Sequence, residues 1–230
     1  MRFKLLLLFI LLSIKTLPVK AQGQFSGTGS WNIITVNLPG SIQHRWGGYF
    51  EAQNRNYGVA SNFYYYELKT GVSYNFDNNS FALLGTGRYT TYGFNAVDDG
   101  PQITETRFWE QFTTNHYISR LKLEHRYRIE QRWLNTGYRN RFRYRLTATL
   151  PLNKPKLEQG TLFASVFAEV FFNNKQPNFE RNRFSPSLGY KFTKPFTFQA
   201  GFINQRNYAI NNSDDKNYLI LTATYNLQRK

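Results

Sequence analysis

The chain has no cysteine and only three histidines in 230 residues. Without cysteine there are no disulfide staples, no thiolate metal ligands and no lipid-bearing cysteine behind a leader. His44, His116 and His125 are scattered, and three such residues cannot build a transition-metal site with the usual spacing. No stretch beyond the N-terminal leader approaches the roughly 18 apolar residues that a spanning helix needs, and the mean hydropathy is −0.54. A helical membrane protein is therefore excluded. Nothing in the sequence calls for a cofactor.

What is present begins with that leader. Arg2 and Lys4 precede the apolar run Leu5 to Leu12, and Val19-Lys20-Ala21 offers a cleavage site, so residues 1–21 read as a signal peptide and 22–230 as one exported domain. Taking the leader's Arg2, Lys4, Lys15 and Lys20 from the 29 Lys+Arg leaves 25 against 14 acidic residues, a net charge of +11. In a soluble protein that balance would point to nucleic acid or an anionic surface. Here it has another origin, because the arginines sit on the polar face of long alternating strands, and no nucleic-acid partner is expected.

From Arg120 to Trp133 every even position is charged (Arg120, Lys122, Glu124, Arg126, Arg128, Glu130, Arg132), while the odd positions read Leu121, Leu123, His125, Tyr127, Ile129, Gln131, Trp133. Period two is the signature of a β-strand. After Asn135-Thr136-Gly137 the pattern resumes in opposite parity, with Arg139, Arg141, Arg143 and Arg145 facing away from Phe142, Tyr144, Leu146, Ala148 and Leu150. Long strands with one polar and one greasy face suit a transmembrane barrel, where one face meets lipid and the other a wet lumen. The 16 Tyr and 21 Phe would anchor such strands at two membrane interfaces.

Further alternating segments fall at 43–54, 63–76, 81–92, 103–117, 161–173, 183–192, 196–206 and 217–227. Short connections near 77–80, 118–119 and 194–195 alternate with longer polar ones at 93–102, 174–182 and 207–216, which read as external loops. The fold class expected is all-β, a transmembrane antiparallel up-and-down barrel of about ten strands, with twelve as the alternative. Residues 22–38 would be an odd eleventh strand, and they read instead as a β-like segment within or below the lumen. A soluble sandwich would exchange the two faces. Strands of about 12 residues, large aromatics on the apolar face and the alternating loop lengths oppose it.

The stretch His125-Arg126-Tyr127-Arg128-Ile129-Glu130-Gln131-Arg132-Trp133, with Arg141-Phe142-Arg143-Tyr144-Arg145-Leu146 and Pro151, resembles the core signature of the family catalogued as domain of unknown function 2490. Trp31, Phe108-Trp109-Glu110-Gln111, Glu169 with Phe171, and Asn182-Arg183 leading into Leu188-Gly189-Tyr190 add to the resemblance. It implies a Bacteroidetes-type outer-membrane barrel and no activity. With that placement come outer-membrane lipid, lipopolysaccharide and the barrel-assembly machinery as expected partners.

The chemistry on offer is electrostatic. Arg120, Lys122, Arg126, Arg128, Arg132, Arg139, Arg141, Arg143 and Arg145 project to one side, against Glu124 and Glu130 on the same surface. An open barrel with such a wall would favour small anions. A closed one would neutralise it with carboxylates from other strands, such as Glu51, Glu67, Glu105 and Glu169. The function expected is a small porin-like or scaffold barrel rather than an enzyme. The alternatives are a lipid hydrolase using His116 with Ser119, which lack the sequence context of barrel lipases, and a soluble periplasmic binding barrel. The acidic pairs Asp98-Asp99 and Asp214-Asp215 read as solvated loop charge, with Ca²⁺ as a minor alternative, so no metal site is expected.

Pairing opposite charges across the β-turn also predicts a register. A turn at Ile118-Ser119 would pair Tyr117 with Arg120, and counting outward would set Glu130 opposite Arg107 and Arg132 opposite Glu105.

Overall fold

The computed structural model describes residues 27–229. The expected signal peptide lies outside them. Eleven strands form one closed barrel: β1 (Thr28–Leu38), β2 (Trp46–Gly58), β3 (Ser61–Asn75), β4 (Ser80–Gly93), β5 (Ala96–Ile118), β6 (Leu121–Leu134), β7 (Gly137–Pro151), β8 (Thr161–Asn173), β9 (Phe179–Lys191), β10 (Phe196–Ala209) and β11 (Asn212–Asn226). Sequential neighbours pair antiparallel throughout.

The expected all-β closed barrel is present, and its eleven strands fall between the expected ten and twelve. The segment expected within or below the lumen is a strand of the wall: β1 pairs antiparallel with β2 and parallel with β11, from Thr28 opposite Asn217 to Asn37 opposite Asn226. The parallel seam resolves the parity conflict. An odd number of alternating strands leaves its first and last members pointing the same way, and a parallel ladder can still close every edge.

The rim where β1 begins is called upper here, and the rim where it ends lower. The connections overturn the expected loop asymmetry. At the upper rim, most of the residues read as long loops are strand. β4 and β5 run on to pair Gly93 with Ala96, and β10 and β11 run on to pair Ala209 with Asn212. The longest connections, 39–45 and 152–160, lie at the lower rim. Polar, Asn-rich composition had marked the upper segments as loops, but alternate side chains of a strand that overhangs the belt also meet water.

The outer wall carries two aromatic belts. Near the lower rim, Trp46 packs on Tyr74, Tyr74 on Phe76 and Phe76 on Phe112, while Tyr190, Phe192 and Phe196 form a second cluster. Near the upper rim, Phe108, Trp133 and Tyr138 pack in series, as do Phe172, Phe179 and Tyr208. Between the belts stand outward aliphatics such as Leu84, Leu188 and Val72, more than half exposed. Tyr66 on β3 and Phe76 just past its end are ten residues apart, about 33 Å along the strand and about 25 Å of height once the usual barrel tilt is included.

The register at the β5–β6 turn differs from the expectation by two residues. Ile118 pairs with Leu121 across a turn of Ser119 and Arg120, so Arg107 faces Arg132 and Trp109 faces Glu130. Ser119 has φ 55°, the left-handed start that matches the twist of a two-residue hairpin. Opposed charges do not select the register, because the carboxylates reach the cations diagonally and along their own strands. Outward pairs fit well in this register: Phe112 with Tyr127, and Tyr127 with Tyr144.

Candidate functional site

Two kinds of side chain fill the interior. Around β1, β3, β4, β10 and β11 it is aromatic and aliphatic: Trp31, Tyr64, Tyr65, Tyr89, Ile203, Tyr218 and Ile220 form one buried cluster. A bulge where the β2–β3 register shifts between Arg55 and Asn56 lets the adjacent Tyr64 and Tyr65 both be buried. The hydroxyls of Tyr64 and Tyr218 meet at 2.7 Å. Arg55 lies 3.5 Å from the centroid of the Trp31 ring and 4.2 Å from that of Tyr65, so its charge is held by aromatic faces as well as by Glu67.

Across β5 to β9 the interior is ionic. Arg107 and Arg132 both donate to Glu105, each through Nε at 2.5 Å. Arg132 also reaches Glu180 at 3.4 Å, and Arg141 donates to Glu180 at 3.1 Å and to Glu130 at 2.6 and 2.9 Å. Arg143 bridges Glu130 at 2.5 Å and Glu169 at 2.8 Å. Arg126 donates to Glu169 at 2.5 Å, and Arg183 lies 3.4 Å from it. Acids and bases thus alternate in one continuous chain across the barrel. Phe171, fully buried, lies within cation–π range of Arg141, Arg143, Arg181 and Arg183. Buried charges are tolerable only when paired and hydrogen-bonded, and here most are bonded more than once.

Three glycines thin the wall beside this chain, on β3 and β4. Gly85 lies against the Trp109 indole, where a Cβ would collide with the ring, and the Arg128 guanidinium lies 4.9 Å from the centroid of the same ring. Gly71 and Gly87 are close beside it on β3 and β4. Trp109 is 1 % exposed and therefore fixes where Arg128 stands, with Gln111 accepting from Arg128 at 2.5 and 2.9 Å.

A cavity of about 680 Å³ runs along the barrel, from Lys122, Thr149 and Leu157 towards the lower rim to Ile103, Leu134 and Asn207 towards the upper. Among the described residues, thirteen arginines and lysines line it against five glutamates. Glu130 and Glu180 stand behind the surface and Asp214 beside Lys216 at the rim, which raises the acids only to eight.

Of the basic residues singled out in the sequence, Lys122, Arg126, Arg128, Arg132, Arg141, Arg143 and Arg145 line this cavity. Arg120 does not, because it is the second residue of the β5–β6 turn. Arg139 faces Arg132 near the upper end of β7, outside the lining. Glu105, Glu124, Glu130 and Glu169 each contact cations, Glu124 through Lys122 at 3.3 Å. Glu51 and Glu67 both pair with Lys69. Arg107, expected opposite Glu130, does lie 3.8 Å from it, while sequence reasoning missed Arg55, Lys69, Arg181 and Glu180 as members of the charged interior. Glu180 was hidden by a bulge: Phe172 pairs with Phe179 but Phe171 with Arg181, so Glu180 falls out of the alternation and turns inward.

The histidines stand apart from the lumen. His116 packs edge-on against His125 with ring centroids 5.2 Å apart, and His125 Nδ1 lies 2.8 Å from the Tyr144 hydroxyl. Asp98 and Asp99 lie in the overhanging part of β5, and Asp214 and Asp215 in that of β11.

A family model described as a protein of unknown function (DUF2490) matches residues 28–217. The chain belongs to that family. The DUF2490 match begins at the first residue of β1 and ends at Asn217 on β11, so it takes in β1 to β10 whole and stops where the parallel ladder between β1 and β11 begins. Comparisons with curated proteins and with solved structures find no match.

Proposed function

We propose that this DUF2490 protein is an outer-membrane barrel, not an enzyme, whose narrow arginine-lined lumen admits small anions. The observation that carries the reading is the division between the two faces: an outer wall of aliphatics between aromatic belts, and an interior with thirteen basic against eight acidic groups along one cavity. Apolar-out and polar-in is the arrangement lipid demands of a barrel, and a basic lining favours anions over cations. Outer-membrane lipid and lipopolysaccharide would contact the wall, and assembly would pass through the barrel-assembly machinery.

The cavity also limits what can pass. About 680 Å³ over a height of about 25 Å leaves a mean cross-section of about 27 Å² for a water-sized particle to move in, the scale of small ions. Planar-bilayer recording tests the reading. Small discrete conductance steps with chloride favoured over potassium are expected. Silence, or cation selectivity, would overturn the pore.

A further inference from the structure

We propose that the lumen holds a divalent oxyanion of the phosphate class between Arg126 and Arg145. The proposal rests on the reading of the lumen as an anion path and names the class of anion that it retains. Arg126 and Arg145 are directly opposed on β6 and β7, and like charges in that position repel. Two other such pairs along the cavity are relieved. Arg107 and Arg132 share Glu105, while Arg128 and Arg143 have Gln111 and Glu130.

At Arg126 and Arg145 the relief is incomplete. The single carboxylate bound to Arg126, Glu169, also serves Arg143 and Arg183. The carboxylate nearest Arg145 is Glu124, at 3.8 Å, and it is shared with Lys122 at 3.3 Å. The Arg145 Nε is buried with no hydrogen-bond partner. Its guanidinium lies 5.2 Å from the centroid of the Phe167 ring, and Arg145 lines the cavity. Two neighbouring guanidiniums, with the Lys122 ammonium on the same face of β6, match an oxyanion, since each fork can donate two parallel bonds to two oxygens. A dianion neutralises both arginines at once, as chloride cannot. Towards the lower rim the lining turns to Thr147, Thr149, Ser165 and Ser187, hydroxyls that can hydrate an anion on its way in.

Isothermal calorimetry on the full-length protein in detergent tests this with inorganic phosphate and sulfate, at matched ionic strength against chloride. Phosphate and sulfate should bind saturably where chloride does not. Arg145→Gln should weaken binding roughly tenfold, the effect of losing one charged hydrogen-bonding partner. Glu124→Gln should strengthen it, because it removes the competing carboxylate; a merely structural role would move both variants in the same direction. Equal heats for phosphate and chloride in the wild-type protein would overturn the site without need of any variant. Binding without conductance would sink the pore and leave the site standing, whereas conductance without binding would sink the site alone.

Discussion

Arg107 stands directly across the sheet from Arg132, and both donate through Nε to the same carboxylate, Glu105. Glu105 is two residues from Arg107 on its own strand and face, so the pairing runs along the strand and diagonally across it. A cross-strand neighbour of like charge is then no penalty. The same device recurs where Arg128 faces Arg143 beside Glu130.

The register that follows can be checked on the outer face of the barrel, where cysteines leave the ionic chain intact. Phe108 pairs with Gln131 and lies one diagonal step from Ile129. In this otherwise cysteine-free chain, the double variant Phe108→Cys with Gln131→Cys should form a disulfide faster than Phe108→Cys with Ile129→Cys. The reverse order would restore the register in which Glu130 faces Arg107.

Glu130 is fully buried and contacts Arg107, Arg128, Arg141 and Arg143. Glu130→Gln removes the charge that four guanidiniums share and should destabilise the barrel by about 3–5 kcal/mol, the usual cost of stranding buried charge. Glu158 pairs with Lys154 at 3.2 Å in the exposed 152–160 connection, and Glu158→Gln should cost less than about 1 kcal/mol. Urea unfolding in detergent micelles compares the two, and equal effects would mean that the interior network is as solvated as the surface.

Opposite faces of one strand should report opposite surroundings. Leu146 points outward beside His125, while Thr147 lines the cavity. Spin labels on Leu146→Cys in lipid vesicles should be relaxed by oxygen, and labels on Thr147→Cys by a water-soluble nickel chelate. Water-like accessibility at both positions would remove the membrane placement.

The alternation on β6 and β7 was legible because each strand is patterned without interruption across its inner face, from Lys122 to Arg132 and from Arg139 to Arg145. Period two therefore gave face and length together. Closure was not legible, since the periodicity of β1 says nothing about whether its neighbour runs parallel or antiparallel. Glu180 and Tyr64 escaped because bulges break the period at both. The register failed on an assumption about charge: a long arginine reaches a carboxylate two residues away or one strand over as easily as one directly opposite. Arg126, for example, passes over β7 to Glu169 on β8.

The parallel seam also governs how the chain could be re-cut. Thr28 sits beside Asn217 while Asn226 sits beside Asn37, so the two ends of the described wall emerge at opposite rims, separated by nine residues of ladder, about 30 Å. In a barrel with an even number of strands, a short turn could join the ends and new termini could be opened at any hairpin. Here a joining segment would have to travel the full height of the barrel, either through a lumen already occupied by arginines or across the greasy wall. Circular permutation, ordinarily well tolerated at exposed turns, is thereby closed to this architecture by its odd strand alone.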